Sequence, residues 1–199
     1  MVSSVRRLFG TLSATCALGA MGAVALPVSV AHADLVNLDA CNSSALSQPF
    51  APWGDTSYYE LAPGGDFESP AWTLNSGAQI VSGSEPFAAT GTLGASSLSL
   101  PAGAWAQSPR TCMNAGSPTL RFFIAGSGTV LVQIVDGIVS IPAGVAVAAG
   151  GWQPTPVMLT GSLLTGLLSG GTANVSIRLT AISGDPQVDD VFIDPWNRG

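Results

Sequence analysis

Short runs in which apolar and polar residues alternate, separated by turn residues, fill most of the chain after residue 57. Residues 120–124, 130–134 and 175–181 carry apolar side chains at every second position, which is the period of a β-strand. The sequence Gly126-Ser127-Gly128 lies between the first two runs and predicts a hairpin there. A final strand is predicted over 187–194, after a turn at 183–186.

Turn residues recur about every 8 to 12 positions and no helical period persists, so about nine or ten short strands are predicted. This spacing favours an all-β fold, a jelly-roll β-sandwich. Two apolar segments fit less well: 137–150 is predicted as a loop with an edge strand, and 162–168 as one helical turn or a loop. Either segment could also mark an exposed apolar patch that contacts a partner.

The N-terminus has the features of an export signal. Two arginines, Arg6 and Arg7, precede an apolar run over 12–30 that ends in Ala31-His32-Ala33, a small-x-small cleavage pattern. The run is also long enough to span a bilayer, so an uncleaved anchor is the alternative. We predict a signal peptide over 1–33, an N-terminal arm over 34–56 and a sandwich domain over 57–199.

After cleavage the protein is expected to be secreted, extracellular or cell-wall associated, with no membrane attachment. The whole chain has 6 basic and 12 acidic residues and a formal net charge of −6. Two of the basic residues lie in the signal, so the remainder is more acidic still. Because nucleic acid and anionic membrane surfaces repel such a chain, neither is expected as a partner.

Two cysteines, Cys41 and Cys112, remain after loss of the signal, which contains Cys16. An even number in an oxidising compartment predicts one disulfide that ties the arm to the sandwich. Two free buried thiols are the alternative. Zinc binding is disfavoured because there is no C-x-x-C pair and the sole histidine, His32, lies in the signal.

The last predicted strand contains two adjacent acids, Asp189 and Asp190, among apolar residues. Since neighbouring strand residues face opposite sides, only one of them should point into the sandwich. That buried carboxylate needs donors or a counter-charge. It could bond to Arg121, to Arg178 or to backbone amides, or a hard cation such as calcium could bind it through oxygen ligands.

Three motifs carry a family resemblance: Gly65-Asp66-Phe67-Glu68 followed by Trp72, the mid-chain pair Gly151-Trp152, and Val188-Asp189-Asp190-Val191. They resemble carbohydrate-binding modules of the galactose-binding-domain-like jelly-roll superfamily. The whole chain after the signal is also similar to small secreted bacterial proteins of unassigned role. The module resemblance implies a structural calcium where the first strand meets the last, with Glu68 and Asp189 as its ligands.

Sugar binding requires an exposed aromatic face beside planar hydrogen-bonding groups. Of the five tryptophans, Trp72 and Trp152 are predicted to pack in the core. Trp105 and Trp53 lie in polar, proline-containing contexts and are predicted to contact a ligand. Tyr58 and Tyr59 should face opposite sides, and Tyr59 is the third predicted ligand-binding residue.

The sequence offers little for catalysis, because the chain after the signal contains no histidine and the whole chain no lysine. Serine triads and Schiff-base chemistry are therefore excluded. The predicted function is non-catalytic binding of a polysaccharide or cell-wall glycan. A structural or adhesion protein of the cell envelope without a sugar ligand is the alternative, and a carboxylate-based glycosidase is a remote one.

Overall fold

The protein is described here by a computed structural model, which covers residues 45–114, 119–160 and 172–194. The regular structure of the described chain consists of strands, with one short 3-10 turn at Ala51–Trp53. Its eleven strands are β1 (Glu60–Leu61), β2 (Thr73–Asn75), β3 (Gln79–Ser82), β4 (Ser96–Ser99), β5 (Trp105–Gln107), β6 (Thr111–Asn114), β7 (Thr119–Asp136), β8 (Val139–Pro154), β9 (Met158–Leu159), β10 (Thr172–Gly184) and β11 (Gln187–Asp194). This confirms the predicted all-β class. Within the described ranges, no helix has the length and apolar character needed to cross a membrane.

Strand β7 belongs to both layers of a jelly-roll sandwich. Its first part pairs with β11, and its second part pairs with β10. The strands follow the hydrogen-bonded order β2-β5-β10-β7-β11-β4-β3, with β1 on β11, β6 on β10, and β8 and β9 on β7. We call the β3, β4 and β11 side, with the start of β7, the first sheet. The β2, β5 and β10 side, with the end of β7, is the second sheet.

The prediction of a hairpin turn at residues 126–128 is wrong, because β7 continues through these residues. Gly126 and Gly128 have φ of +85° and +129°, a conformation that glycine adopts without a steric penalty. A Cβ on Gly128 would lie 2.0 Å from the Ser183 carbonyl oxygen, so glycine is needed for the close approach of β10. These glycines let one strand change sheets where a hairpin was expected.

The hairpin lies instead at Gly137, whose φ is +57°. Asp136 pairs with Val139, so the two loop residues are Gly137 and Ile138, and glycine at the first of two loop positions is typical of a type II′ hairpin turn. The segment 137–150 is therefore mostly edge strand, as predicted, with little loop. The predictions for 162–168, for the signal peptide over 1–33 and for the first part of the arm lie outside the described residues.

One buried apolar cluster joins the two sheets. It includes Leu120 and Phe122 from the first part of β7, Val132 from its second part, and Ile177 and Leu179 from β10. All five side chains are fully buried. Trp72 is also in this core, as expected, and its indole N–H donates to the Pro63 carbonyl at 3.0 Å. The alternation in β7 and β10 is thus the pattern of strands with one face on a shared core.

A second cluster covers the opposite face of the first sheet. It contains Phe50 from the arm, Tyr59 from the segment that follows the arm, Phe123 from β7 and Phe192 from β11, and the half-buried Trp152 packs against it. Phe50 lies 5.2 Å from Phe123 and 5.0 Å from Tyr59 between ring centroids. The described part of the arm, residues 45–56, contains one 3-10 turn, and aromatic packing holds residues 45–59 on the sheet.

Cys112, on β6, is disulfide-bonded. Its predicted partner, Cys41, lies outside the described residues, so the Cys41–Cys112 pairing stays a prediction. The opening and closing segments of the domain do lie side by side. Glu60 pairs with Ile193 between β1 and β11, and the Val191 amide donates to the Gly65 carbonyl at 3.0 Å.

Candidate functional site

The acidic residues of β11 lie on the outer side of the first sheet, under the loop 84–89. The register of β11 against β7 shifts between Asp189 and Phe192, and Asp190 has φ of +47°, the signature of a β-bulge. Because the extra residue breaks the alternation, Asp189 and Asp190 are 0% and 4% exposed. The expectation that only one of the pair would be buried is therefore wrong.

Neutral donors bind these carboxylates. Asp189 accepts hydrogen bonds from the Ser84 hydroxyl at 2.6 Å, the Glu85 amide at 2.9 Å and the Asp190 amide at 2.9 Å. The Glu85 carboxylate is 1% exposed and accepts from the amides of Phe87 and of Ala89, the latter at 2.8 Å. Among the described residues, backbone amides and the Ser84 hydroxyl, and not Arg121 or Arg178, donate these hydrogen bonds.

Burial raises the pKa values of Asp189 and Asp190. Burial raises the pKa of Asp189 to about 6, although hydrogen bonds from Ser84 and the Glu85 amide act in the opposite direction. Burial, and then the charges of Asp189 and Glu85, raise the pKa of Asp190 to about 8. Burial and the neighbouring charges thus favour the protonated form of Asp190, which can donate a hydrogen bond to the Glu85 carboxylate.

Glu68, predicted to bind calcium with Asp189, lies on the exposed rim of the same loop region. Its Oε1 accepts from the amides of Ala95 and Ser96 at 2.6 and 2.8 Å. Two oxygen atoms lie 2.7 Å from the position that a Cβ on Gly94 would take. One is Oε1 of Glu68, and the other is the Ser84 hydroxyl, which donates to Asp189. Glu68 and the Asp189-bound Ser84 thus both lie beside Gly94.

The donor set suits calcium by chemistry, since it consists of carboxylate oxygens. In residues 45–114, 119–160 and 172–194, however, no three potential ligands are grouped as a metal site. Oε1 of Glu68 and Oδ2 of Asp189 each already accept two hydrogen bonds. Calcium at Glu68 and Asp189 therefore stays a prediction.

Trp105, the first predicted ligand contact, projects from β5 on the outer face of the second sheet. Its neighbour in sequence, Ala106, is fully buried in the core, so the indole points the opposite way. Across the sheet Trp105 is paired with Asn75 of β2 and Thr180 of β10. Asn75 is exposed and Thr180 partly exposed, so this row presents an aromatic ring between two polar side chains.

The next row on the same face is polar throughout. Gln107 is paired with Thr73 on one side and with Arg178 on the other, and Arg178 is paired with Gln133 of β7. The Arg178 guanidinium lies 4.7 Å from the centre of the Trp105 ring and donates two hydrogen bonds, of 2.7 and 3.0 Å, to Oε1 of Gln107. These contacts fix the orientation of all three side chains. We call the two rows together the Trp105 face.

Trp53, the second predicted contact, lies in the arm. It is 40% exposed and follows Phe50 and Pro52 in the 3-10 turn, which ends at Gly54 with φ of +84°. Cavities of about 480 Å³ and about 350 Å³ both have Trp53 in their walls. Its ring therefore separates two grooves.

Tyr59, the third predicted contact, is 1% exposed and packs edge-on against Phe50, so its ring cannot stack on a sugar. The two tyrosines do face opposite sides, but the exposed one is Tyr58, at 36%. The Tyr59 hydroxyl donates to Asp55 at 2.8 Å. Tyr59 holds the arm, because the aromatic cluster needs a large ring at that position.

Several residues were not assigned to these sites from the sequence. Glu85 and Ser84 complete the acidic cluster, and the Ser82-Gly83-Ser84-Glu85-Pro86 turn offered only a lone acid in an uncharged loop as a signal. Gln107 and Arg178 complete the Trp105 face. Their pairing was not visible in the sequence because 71 residues separate them.

No family model matches this chain, and no curated protein does. Solved structures of carbohydrate-binding modules match it, in line with the resemblance of its motifs. A family 61 module in complex with β-1,4-galactotriose matches at 14% identity and a TM-score of 0.43, over 65% of this chain and 94% of the module. A β-1,3-glucan-binding family 6 module from Bacillus halodurans matches at 13% and 0.42, over 67% and 97%.

A module from Cellvibrio mixtus lichenase 5A, in complex with cellotriose, matches at 12% identity and a TM-score of 0.40, over 61% of this chain and 88% of the module. Likeness at this level says nothing of what this chain binds. The residues of the site itself have to carry that conclusion.

Proposed function

We propose that this is an exported, non-catalytic protein that binds a polysaccharide or cell-wall glycan on the Trp105 face. The observation that carries the proposal is the row of planar hydrogen-bonding groups beside a partly exposed indole. Gln107 and Arg178 are bonded to one another, and Arg178 lies 4.7 Å from the Trp105 ring centre. A preorganised set of this kind is what a pyranose needs.

The shape and charge of the face favour an extended, neutral ligand. It lies across neighbouring strands, with Asn75 and Thr73 at the β2 edge and Gln133 on β7. A flat sheet surface suits a polymer chain better than a small enclosed molecule. Arg178 is the one charged residue in the two rows of the Trp105 face, and its guanidinium already lies against the Trp105 ring. The face therefore matches sugar hydroxyl groups better than it matches phosphate.

Binding without catalysis is supported by the state of the carboxylates. Glycoside hydrolysis needs two accessible carboxyl groups, one of which acts as an acid. Glu85, Asp189 and Asp190 are at most 4% exposed, so substrate cannot reach them. Hydrogen bonds from Tyr59 and Arg121 outweigh burial and lower the pKa of Asp55, which makes it a poor proton donor.

A structural calcium is part of the proposal and rests on charge. In the described chain the arginine ion pairs are Arg110 with Asp136 and Arg121 with Asp55, so neither involves the buried cluster of Glu85, Asp189 and Asp190. Glu68 and Asp189 would hold the ion, which would supply positive charge and stabilise the junction of the opening and closing segments. It takes no part in sugar contact, because the Trp105 face is on the other sheet.

The test is retention on glycans. Native gels cast with soluble xylan, mixed-linkage β-glucan or galactomannan, and sedimentation with insoluble peptidoglycan, would be run with wild type and Trp105→Ala. We expect retention by at least one polymer and a loss of affinity of about 10-fold in the variant, equivalent to about 1.4 kcal/mol. Tyr58→Ala removes an exposed aromatic side chain elsewhere and serves as control. Absence of retention on every polymer, or full retention of a folded Trp105→Ala protein, would overturn the proposal.

The adhesion alternative has one observation in its favour, the edge strand β8. Among the described strands β8 hydrogen-bonds only to β7, and it contains no charged residue. Val145 and Val147 on it are 49% and 59% exposed. Unprotected edges of this kind pair with other strands. If adhesion is the function, sedimentation should show concentration-dependent association that Val147→Lys abolishes, whereas a monomer at all concentrations would exclude this route.

A further inference from the structure

We infer that the N-terminal arm builds a second carbohydrate-contact site, the Trp53 cleft, formed by the two grooves on either side of Trp53. The inference rests on the proposed glycan-binding function and extends it. Trp53 belongs to the arm, which packs on the outer face of the first sheet. The Trp105 face belongs to the outer face of the second sheet. One molecule therefore presents two separate contact surfaces.

The indole of Trp53 is exposed, and neighbouring aromatic rings hold it in place. Its ring centroid lies 4.8 Å from that of Phe87 and 5.4 Å from that of Phe123, both with edge-type geometry. Pro52 and the left-handed Gly54 close the turn that carries it. A ring already held by packing loses little conformational entropy when a ligand stacks on it.

The larger groove combines apolar walls with a few polar groups. Its volume is about 480 Å³, within the range of small-ligand sites. The apolar part consists of Val145, Val147, Pro154 and Pro156, and the polar part of Gln153, Thr155 and Arg121. The Gln153 side chain reaches only as far as the Val147 carbonyl, at 3.4 Å. That long bond leaves its amide available to a sugar hydroxyl.

The smaller groove, of about 350 Å³, has Asp55, Ser57 and Thr119 in its wall on the other side of Trp53. The Asp55 carboxylate is neutralised by Arg121 at 2.7 Å and also accepts from Tyr59. The charges of the two grooves thus cancel locally. A neutral oligosaccharide that crosses the indole, with one unit in each groove, matches this surface better than an ionic ligand does.

Two contact surfaces on opposite sheets give the protein the means to bridge two segments of a polymer. Linked sites bind more tightly than either alone when both engage. Loss of Trp53 should therefore weaken retention on a polymer by about 10-fold or more, while binding of a short oligosaccharide at the Trp105 face should be unchanged.

The test follows the indole N–H signals of 15N-labelled protein during titration with cellohexaose, laminarihexaose and xylohexaose. Trp53→Phe and Trp105→Phe assign the two resonances. We expect one hexasaccharide to shift the Trp53 signal in wild type and also in the Trp105→Ala variant. Tyr58→Ala, which alters an exposed residue outside both grooves, should keep the Trp53 shift.

The outcomes separate the two proposals. A shift at Trp105 with none at Trp53 overturns the Trp53 cleft and leaves the proposed function intact. A shift at Trp53 with none at Trp105 supports the cleft and overturns the assignment of the main site to the second sheet. A spectrum that none of the three sugars changes overturns the cleft as a site for neutral oligosaccharides, and polymer retention then decides the proposed function separately.

Discussion

Arg121 of β7 and Asp55 of the arm form a 2.7 Å ion pair between residues 66 positions apart. The two side chains are 9% and 17% exposed. The guanidinium also lies 4.3 Å from the centre of the Phe50 ring, and its Nε–H donates to the Thr155 carbonyl at 2.9 Å. The Arg121 side chain thus connects the arm, the first sheet and the loop between β8 and β9.

Replacement of Arg121 by methionine should lower the free energy of unfolding by about 2–3 kcal/mol, because the Asp55 carboxylate is left half-buried without its cation. Urea denaturation would measure the change. The matched control is Arg110→Met, whose 3.2 Å pair with Asp136 is exposed at 57% and 39%, and which should cost at most about 0.5 kcal/mol. Equal effects of the two variants would show that the arm is not fixed by this pair.

Asp190 should make the protein less stable as pH rises. Its folded-state pKa of about 8 lies above the 3.8 of the unfolded chain, so its contribution is complete below pH 3.8 and is lost as pH approaches 8. In the presence of a chelator, stability should fall by up to about 1.4 kcal/mol per pH unit in that interval. Asp190→Asn should reduce this slope. Its control is Asp185→Asn at an exposed site on the same hairpin.

Urea denaturation of wild type and both variants from pH 4 to pH 9 would check the slope. Asp189, Glu85 and Asp66 all contribute to the raised pKa of Asp190, so some pH dependence should persist in Asp190→Asn. An unchanged slope in that variant would mean that Asp190 carries its charge without penalty.

Calcium should raise the melting temperature more at pH 8 than at pH 5, because protons compete with the cation for the buried carboxylates. Thermal unfolding in millimolar calcium and in chelator, at both pH values, is the measurement. Asp189→Asn should remove the effect and Asp185→Asn should not. If calcium does not change the melting temperature at pH 8, the calcium proposal is wrong. Hydrogen bonds and protonation would then stabilise the acidic cluster without an ion.

Gly128→Ala should be far more damaging than Gly150→Ala, although both glycines have positive φ, of +129° and +121°. A Cβ at Gly128 would lie 2.0 Å from the Ser183 carbonyl oxygen, whereas none of the described atoms lies within 4 Å of one at Gly150. We expect a cost of about 1–2 kcal/mol at Gly150 from backbone strain alone, and at least about 2 kcal/mol more at Gly128. Comparable melting temperatures for the two variants would mean that β7 and β10 can separate there without loss.

Much of the fold was predictable because its determinants are local. Alternation over 120–124, 130–134 and 175–181 reports one buried face directly, and the structure has strands at all three. The mistake at Gly126-Ser127-Gly128 has a physical cause. Glycine permits both a tight turn and a bend within a continuous strand, and only the neighbouring β10 selects the second.

The site was less predictable, because its residues meet through long-range pairing. Trp105 and Trp53 were recognised as accessible aromatics from their polar contexts, but Tyr59 was misplaced, since nothing local tells which of two adjacent rings the arm buries. Gln107 and Arg178, which contact each other beside Trp105, were not predicted to lie there, and Arg178 was considered only as a partner of the acidic pair. Glu85 was likewise overlooked as the partner of Asp189, 104 residues away in the chain.

Composition, periodicity and the N-terminal signal pattern by themselves determined the all-β class, the acidic charge and the expectation of export, because each depends only on residue type and spacing. Tertiary structure alone decided the bulge that buries both Asp189 and Asp190, the passage of β7 between sheets and the placing of Trp105 and Trp53 on different sheets. These features depend on the register between strands that are far apart in the sequence. That register is set by the packing energy of the whole core and not by any local sequence pattern.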